Sequence, residues 1–263
     1  MIKIIALSSI FAYALNTFIL ARQFKQPSMQ RTPLLFGWLA VALHTLYISL
    51  LCVKNNGFSF SLSSVASLNV LGVALVLLLI ALTKPVEKLG LLLFPLAAIL
   101  LGLDASFHLT PRLLSVHTGA MAVHITTSIL AFSLLTVAAM QAILLLLQHK
   151  QLKTHPPSRF ILFLPSLQTM ETFLFQMITA GVLLLSLSLG TGFLFLQDLF
   201  AQHLVHKTVL SLLAWVIFCA ILIGRKGYGW RGRVAVNWIL AGFMLLFLGY
   251  FGSKFVLELI LSH

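Results

Sequence analysis

Long apolar runs broken by short polar stretches make up almost the whole chain. Eight runs of bilayer length are legible, at roughly 2–21, 33–53, 62–82, 89–107, 117–147, 172–196, 206–224 and 234–260. About 20 apolar residues in helical form, at 1.5 Å each, cross a bilayer core. All eight runs are predicted to be helices, because a backbone in hydrocarbon must satisfy its N–H and C=O groups within its own segment. The fifth run exceeds what a bilayer needs, so tilting or protrusion is expected there. The expected fold class is an all-α polytopic membrane protein, with residues 1–263 forming a single integral membrane domain.

Composition agrees: 60% of residues are hydrophobic and 8% are charged, against about 25% charged in soluble domains. The net charge of +12 would suit a nucleic-acid binder. Here the cations fall mostly in the breaks between runs, where they set topology, so no nucleic-acid partner is expected. No cleavable signal pattern is read at residues 1–20. The two cysteines, Cys52 and Cys219, lie inside apolar runs, and CxxC and CxxCH are both absent. Covalently attached c-type haem on this chain is therefore not expected.

Lysines and arginines sort by side. Twelve of them (Arg22, Lys25, Arg31, Lys84, Lys88, Lys150, Lys153, Arg159, Arg225, Lys226, Arg231 and Arg233) share one set of loops, and five (Lys3, Lys54, Arg112, Lys207 and Lys254) share the other. The positive-inside rule puts the first set in the cytoplasm and both termini outside, on the periplasmic side. The two cysteines then sit at opposite depths, too far apart for a disulfide.

Histidines sort the other way. His149 and His155 lie on the cytoplasmic side, while His44, His108, His117, His124, His203, His206 and His263 lie in the outer half or outside. His44 falls about 13 Å below the outer edge of its span and His124 about 10 Å below its own, at the helical rise. His117, His203 and His206 form a second, shallower layer near the outer surface. His117 and His124 are about 10 Å apart along one helix, so they cannot flank one iron. The depth-matched pairings are His124 with His44, and His117 with His206. An intramembrane histidine is costly and is a functional candidate by default; one at the edge can simply face water.

Zinc would want four nitrogen or sulfur ligands, often with carboxylates, and the outer side offers few. A haem needs one or two axial ligands, an apolar slot and cations for its propionates. The second description suits these residues better, with Arg112 and Lys207 at the outer edge. P-loop, GxSxG and HExxH patterns are absent, and no carboxylate pair lies within a span. The basic stretch "RKGYGWRGR" reads as a topology signal that an anionic lipid could also contact.

The C-terminal third carries a family resemblance. In "HKTVLSLLAWVIFCAILIGRKGYGWRGRVAVNWILAGFMLLFLGYFGSK", Lys207 and Thr208 are followed by Trp215, then a basic turn, then a last helix with Phe-Gly near its end. That order resembles the cytochrome c assembly family of CcsA/CcmC-type haem-handling membrane proteins. The nearest likeness is to its short eight-span branch, the YpjD-type bacterial inner-membrane proteins. The resemblance covers roughly residues 60–255. In "MAVHITTSILAFSLL" it implies that His124 is the periplasmic haem-ligand histidine heading its helix. Two departures are plain: the tryptophan-rich segment of larger members is replaced by "TGFLFLQDLFAQHLVHKT", and Ile223 stands where they place an inner histidine.

The expected function is therefore an inner-membrane protein that holds or passes b-type haem (haem b) near the outer leaflet. His124 and His44 are the expected iron ligands, His206 and His117 the further binding candidates. No turnover of its own is expected. Partners would be the lipid bilayer, haem and other cytochrome c maturation or membrane subunits. The alternative is a haem-free transporter or accessory subunit on the same fold. A quinone-linked oxidoreductase would need bis-histidine haems across the bilayer, and the one-sided histidines count against it.

Overall fold

The described part of every apolar run is helical. A computed structural model describes residues 2–23, 34–58, 61–106, 119–152, 164–195 and 205–252. The helices are α1 (Ile2–Gln23), α2 (Leu35–Lys54), α3 (Leu62–Ala81), α4 (Gly90–Ser106), α5 (Gly119–Gln151), α6 (Leu167–Phe195), α7 (Val205–Tyr228) and α8 (Gly232–Phe247). A 3-10 turn, Glu87–Leu89, leads into α4, and a π-helical turn, Leu248–Gly252, continues α8. Among the described residues, eight helices are long and apolar enough to cross a membrane, and none is in a strand.

Helix ends follow capping chemistry rather than the edges of hydropathy. The α6 helix begins at Leu167, well before its apolar run, because Ser166 Oγ accepts the Thr169 N–H at 3.3 Å as an N-cap. Likewise Ser61 Oγ accepts the Ser64 N–H at the start of α3. The α7 helix runs on to Tyr228 through Arg225 and Lys226, cations that suit the negative end of a helix dipole. The α5 helix has 33 residues, about 50 Å at the helical rise, so the long fifth run is one continuous helix.

Packing divides the chain into two compact units, Met1–Ser115 and Val116–His263, where hydropathy alone reads one continuous membrane domain. In the first unit α1 packs on α2 and α4, and α3 packs on α4 and α2, closing a ring. The second unit repeats the scheme: α5 on α6, α6 on α7, α7 on α8 and α8 back on α5.

The α5–α6 pair is the most closely packed. Ala131, Ala138, Ala139 and Ala142 of α5 are all buried, and small residues let helices approach closely where lipid removes the hydrophobic drive to associate. On the facing helix, a Cβ at Gly181 would come within 2.6 Å of Leu135 Cδ2. The pair is antiparallel and in constant register. His124 meets Gly192, Ser128 meets Ser188 and Leu135 meets Gly181, equal steps along one helix matching equal steps back along the other.

The "RKGYGWRGR" turn is fastened by α6. Gly229 and Gly232 take φ of 64° and 57°, the left-handed region that favours glycine. Glu171 Oε1 accepts the Gly232 N–H at 3.1 Å, which caps α8, and stands 3.8 Å from Arg225 Nη1. The Arg225 guanidinium also lies 3.6 Å from the centroid of the Phe175 ring. Arg225 is thus turned toward protein, whereas Lys226, Arg231 and Arg233 are exposed.

Candidate functional site

In the first unit the sequence-predicted residue is His44. The buried stripe of α2 is Gly37, Ala40, Val41, His44 and Tyr47, spaced for one helical face, so His44 lies on the stripe that faces the core. It is fully buried. Both ring nitrogens have partners, Nδ1 with Tyr13 Oη at 3.3 Å and Nε2 with Ser67 Oγ at 2.9 Å. Tyr13 in turn stacks on Phe94, with ring centroids 5.8 Å apart.

One turn further along α2, Tyr47 donates to Asp104 Oδ2 at 3.2 Å. Ser64 donates to Asp104 Oδ1 at 2.8 Å, and Ser61 donates to Ser64 at 2.9 Å. A cavity of about 10 Å³ lined by Cys52, Asn55, Ser64 and Asp104 opens beside this cluster, room for about one water. These groups answer the rule that buried polar atoms need partners. An iron at His44 Nε2 would have to displace the Ser67 hydroxyl.

In the second unit, His124 sits half-buried near the start of α5. Its Nδ1 lies 2.8 Å from the Ser188 carbonyl oxygen on α6. A carbonyl only accepts, so Nδ1 carries the proton, and in the neutral ring Nε2 keeps its lone pair. Among the described residues Nε2 has no hydrogen-bond partner. The backbone around the ring is also fastened. Ser128 Oγ donates to the His124 carbonyl at 2.6 Å, so the Ser188 hydroxyl, also 2.6 Å from Ser128 Oγ, donates to Ser128.

The rest of the second unit adds aromatic surface and a polar hub. Trp215 of α7 donates from Nε1 to Ser186 Oγ at 2.7 Å, so the stretch "SLSLGTG", residues 186–192, is bonded to α5 on one side and α7 on the other. The π turn after α8 carries Tyr250 and Phe251, whose ring centroids lie 5.0 and 5.6 Å from that of Phe132. Phe243 and Phe247 extend this cluster. A π turn is a wide turn often found at functional sites. His206 is exposed in the first turn of α7, next to a half-buried Lys207. His117, Arg112, His108, His203 and His263 lie outside the described residues.

The sequence-predicted histidines therefore divide. His44 belongs to the first unit, and His124 and His206 to the second, each with its own surroundings. His124 fits a haem ligand: a ring held by a carbonyl through one nitrogen and bare at the other is the usual arrangement of a metal-binding imidazole. Among the described residues no three His, Cys, Asp or Glu side chains form a metal-ion group. The sequence reading missed the partners. The spacing of Ser61, Ser64 and Ser67 by threes along α3, and the small polar run at 186–192, were the available signals.

Comparison with known proteins adds the family. The family model described as "Cytochrome C assembly protein" matches residues 32–261. The chain is 32% identical over 240 residues to "Inner membrane protein YpjD" of Escherichia coli (strain K12), covering 85% of this chain and 89% of that one. It is 32% identical over 141 residues to an "Uncharacterized 28.8 kDa protein in nifR3-like 5'region" of Azospirillum brasilense, covering 53% of this chain and 52% of that one. It is 27% identical over 131 residues to "Protein HemX" of Brevibacillus brevis, covering 49% and 48% respectively. No solved structure matches the chain. The chain therefore belongs to the cytochrome c assembly protein family, as a multi-pass inner-membrane protein.

Proposed function

We propose that this membrane protein holds b-type haem non-covalently in its second unit, where His124 Nε2 would hold the iron. The observation that carries the reading is the Nδ1–H bond to the Ser188 carbonyl, which leaves the other ring nitrogen as an electron-pair donor. Bound haem would supply a redox-active iron that accepts the lone pair of His124 Nε2. Lys207, near the start of α7, would offer its cation to the propionates. By the charge count this end of the unit faces the periplasm. His206 and His117 are the further binding candidates, and His44 is a ligand only where iron replaces Ser67. The protein acts as a binder or conduit with no turnover of its own, alongside other maturation or membrane subunits.

The test is a reduced-minus-oxidised absorption spectrum of the protein purified in detergent, before and after addition of haemin. A Soret band that weakens in His124→Ala supports the reading. A colourless protein after haemin addition overturns it in favour of a haem-free accessory or transporter subunit.

A further inference from the structure

We propose that Gly192 and the Ser188 carbonyl of α6 are positioning elements that hold the His124 ring with Nε2 turned out as its donor atom. This deepens the haem reading and rests on it for the identity of the ligand. A helical side chain lies over the turn preceding its own Cα. Any side chain at position 192 would therefore cover the turn that carries the Ser188 carbonyl. Glycine leaves that patch bare, and the imidazole occupies it. A Cβ there would lie 3.1 Å from His124 Cε1 and 3.3 Å from Nδ1, tight enough that the ring would have to give by a few tenths of an ångström.

Among the described residues nothing else claims Nδ1. The Thr191 hydroxyl lies 3.5 Å away, but its proton is directed to the Leu187 and Ser188 carbonyls, each at 2.9 Å. The Ser128–Ser188 bond fixes the register that brings ring and carbonyl together. Gly190 supplies an internal control: it stands on the same helix, and a Cβ added there meets nothing within 4 Å.

Two measurements on the full chain in detergent test the proposal. The first records nitrogen chemical shifts of 15N-histidine-labelled, haem-free protein at about pH 8, where an ordinary histidine is neutral, with His124 assigned by its absence in His124→Ala. The expected pattern is a protonated Nδ1 and a bare Nε2. The second compares Gly192→Ala with Gly190→Ala in the same spectrum and in haemin titration. Gly192→Ala is expected to move the His124 ring resonances and to weaken haemin binding by about tenfold or more, the usual effect of disturbing a group that orients a metal ligand. Gly190→Ala is expected to match wild type in both. A proton on Nε2, or a Gly192→Ala protein indistinguishable from Gly190→Ala, overturns the proposal. Because the tautomer is read on the wild-type chain, misfolding of Gly192→Ala does not shield it. If wild type takes up no haemin, the haem reading falls while the ring spectrum still decides the positioning claim.

Discussion

His44 and His124 look alike in the sequence, yet their surroundings give them different work. The His44 ring is enclosed and bonded at both nitrogens, so its removal strands two buried hydroxyls and leaves a void. His44→Ala is expected to lower stability by about 2–4 kcal/mol, from the cavity and the lost bonds together. His124 is half-buried and bonded at one nitrogen, so His124→Ala is expected to cost about 1 kcal/mol. Thermal unfolding in detergent separates the two, and equal losses would show that the enclosure of His44 contributes nothing particular. In haemin titration the ranking is expected to reverse, with His124→Ala the more damaging change.

At the scale of elements, the α5–α6 pair depends on glycines at the points of closest approach. Gly181→Ala would press its methyl against Leu135, itself 1% exposed. The expected loss is about 1–3 kcal/mol, typical of overpacking a tight interface. Gly190→Ala on the same helix meets open space and is expected to gain about 0.5–1 kcal/mol, because alanine costs less backbone entropy than glycine in a helix. Melting temperatures that move in the same direction would contradict this account of the interface. At the other end of the unit, Glu171 caps α8 and accompanies Arg225. Glu171→Ala is expected to cost about 1–2 kcal/mol through the lost cap, and Glu171→Gln to recover most of it. A Gln variant as unstable as Ala would show that charge, rather than the hydrogen bond to Gly232, does the holding.

At the scale of the whole molecule, the distribution of cations orients the chain. Twelve lysines and arginines in one set of loops against five in the other lead us to expect both termini in the periplasm. A periplasm-dependent phosphatase reporter fused after His263 is expected to be active, and the same reporter inserted after Lys153 inactive. The reverse pattern would place the candidate haem end of the second unit at the cytoplasm. Both units follow one scheme, four helices in sequence-adjacent contact closing a ring. Each ring has a helix histidine bonded to a serine of a neighbouring helix, His44 to Ser67 in the first and His124 to the Ser188 carbonyl in the second.

Hydropathy alone sufficed for the class of fold and the number of spans, because the bilayer imposes one length and one hydrogen-bonding solution on any segment that crosses it. It also assigns His44 and His124 an expected depth, since helical rise is fixed per residue. The ends of α6 and α7 were less legible, because a serine cap and a C-terminal pair of cations extend helices past the apolar run. Which nitrogen of His124 is bare was beyond the sequence, because the deciding group is a backbone carbonyl, and every residue has one. The enclosure of His44 by Tyr13 and Ser67 likewise arises from three helices meeting. A chain read along its length shows the depth of a polar side chain. Only packing across it decides whether that side chain is bonded on every side or left with an electron pair to give.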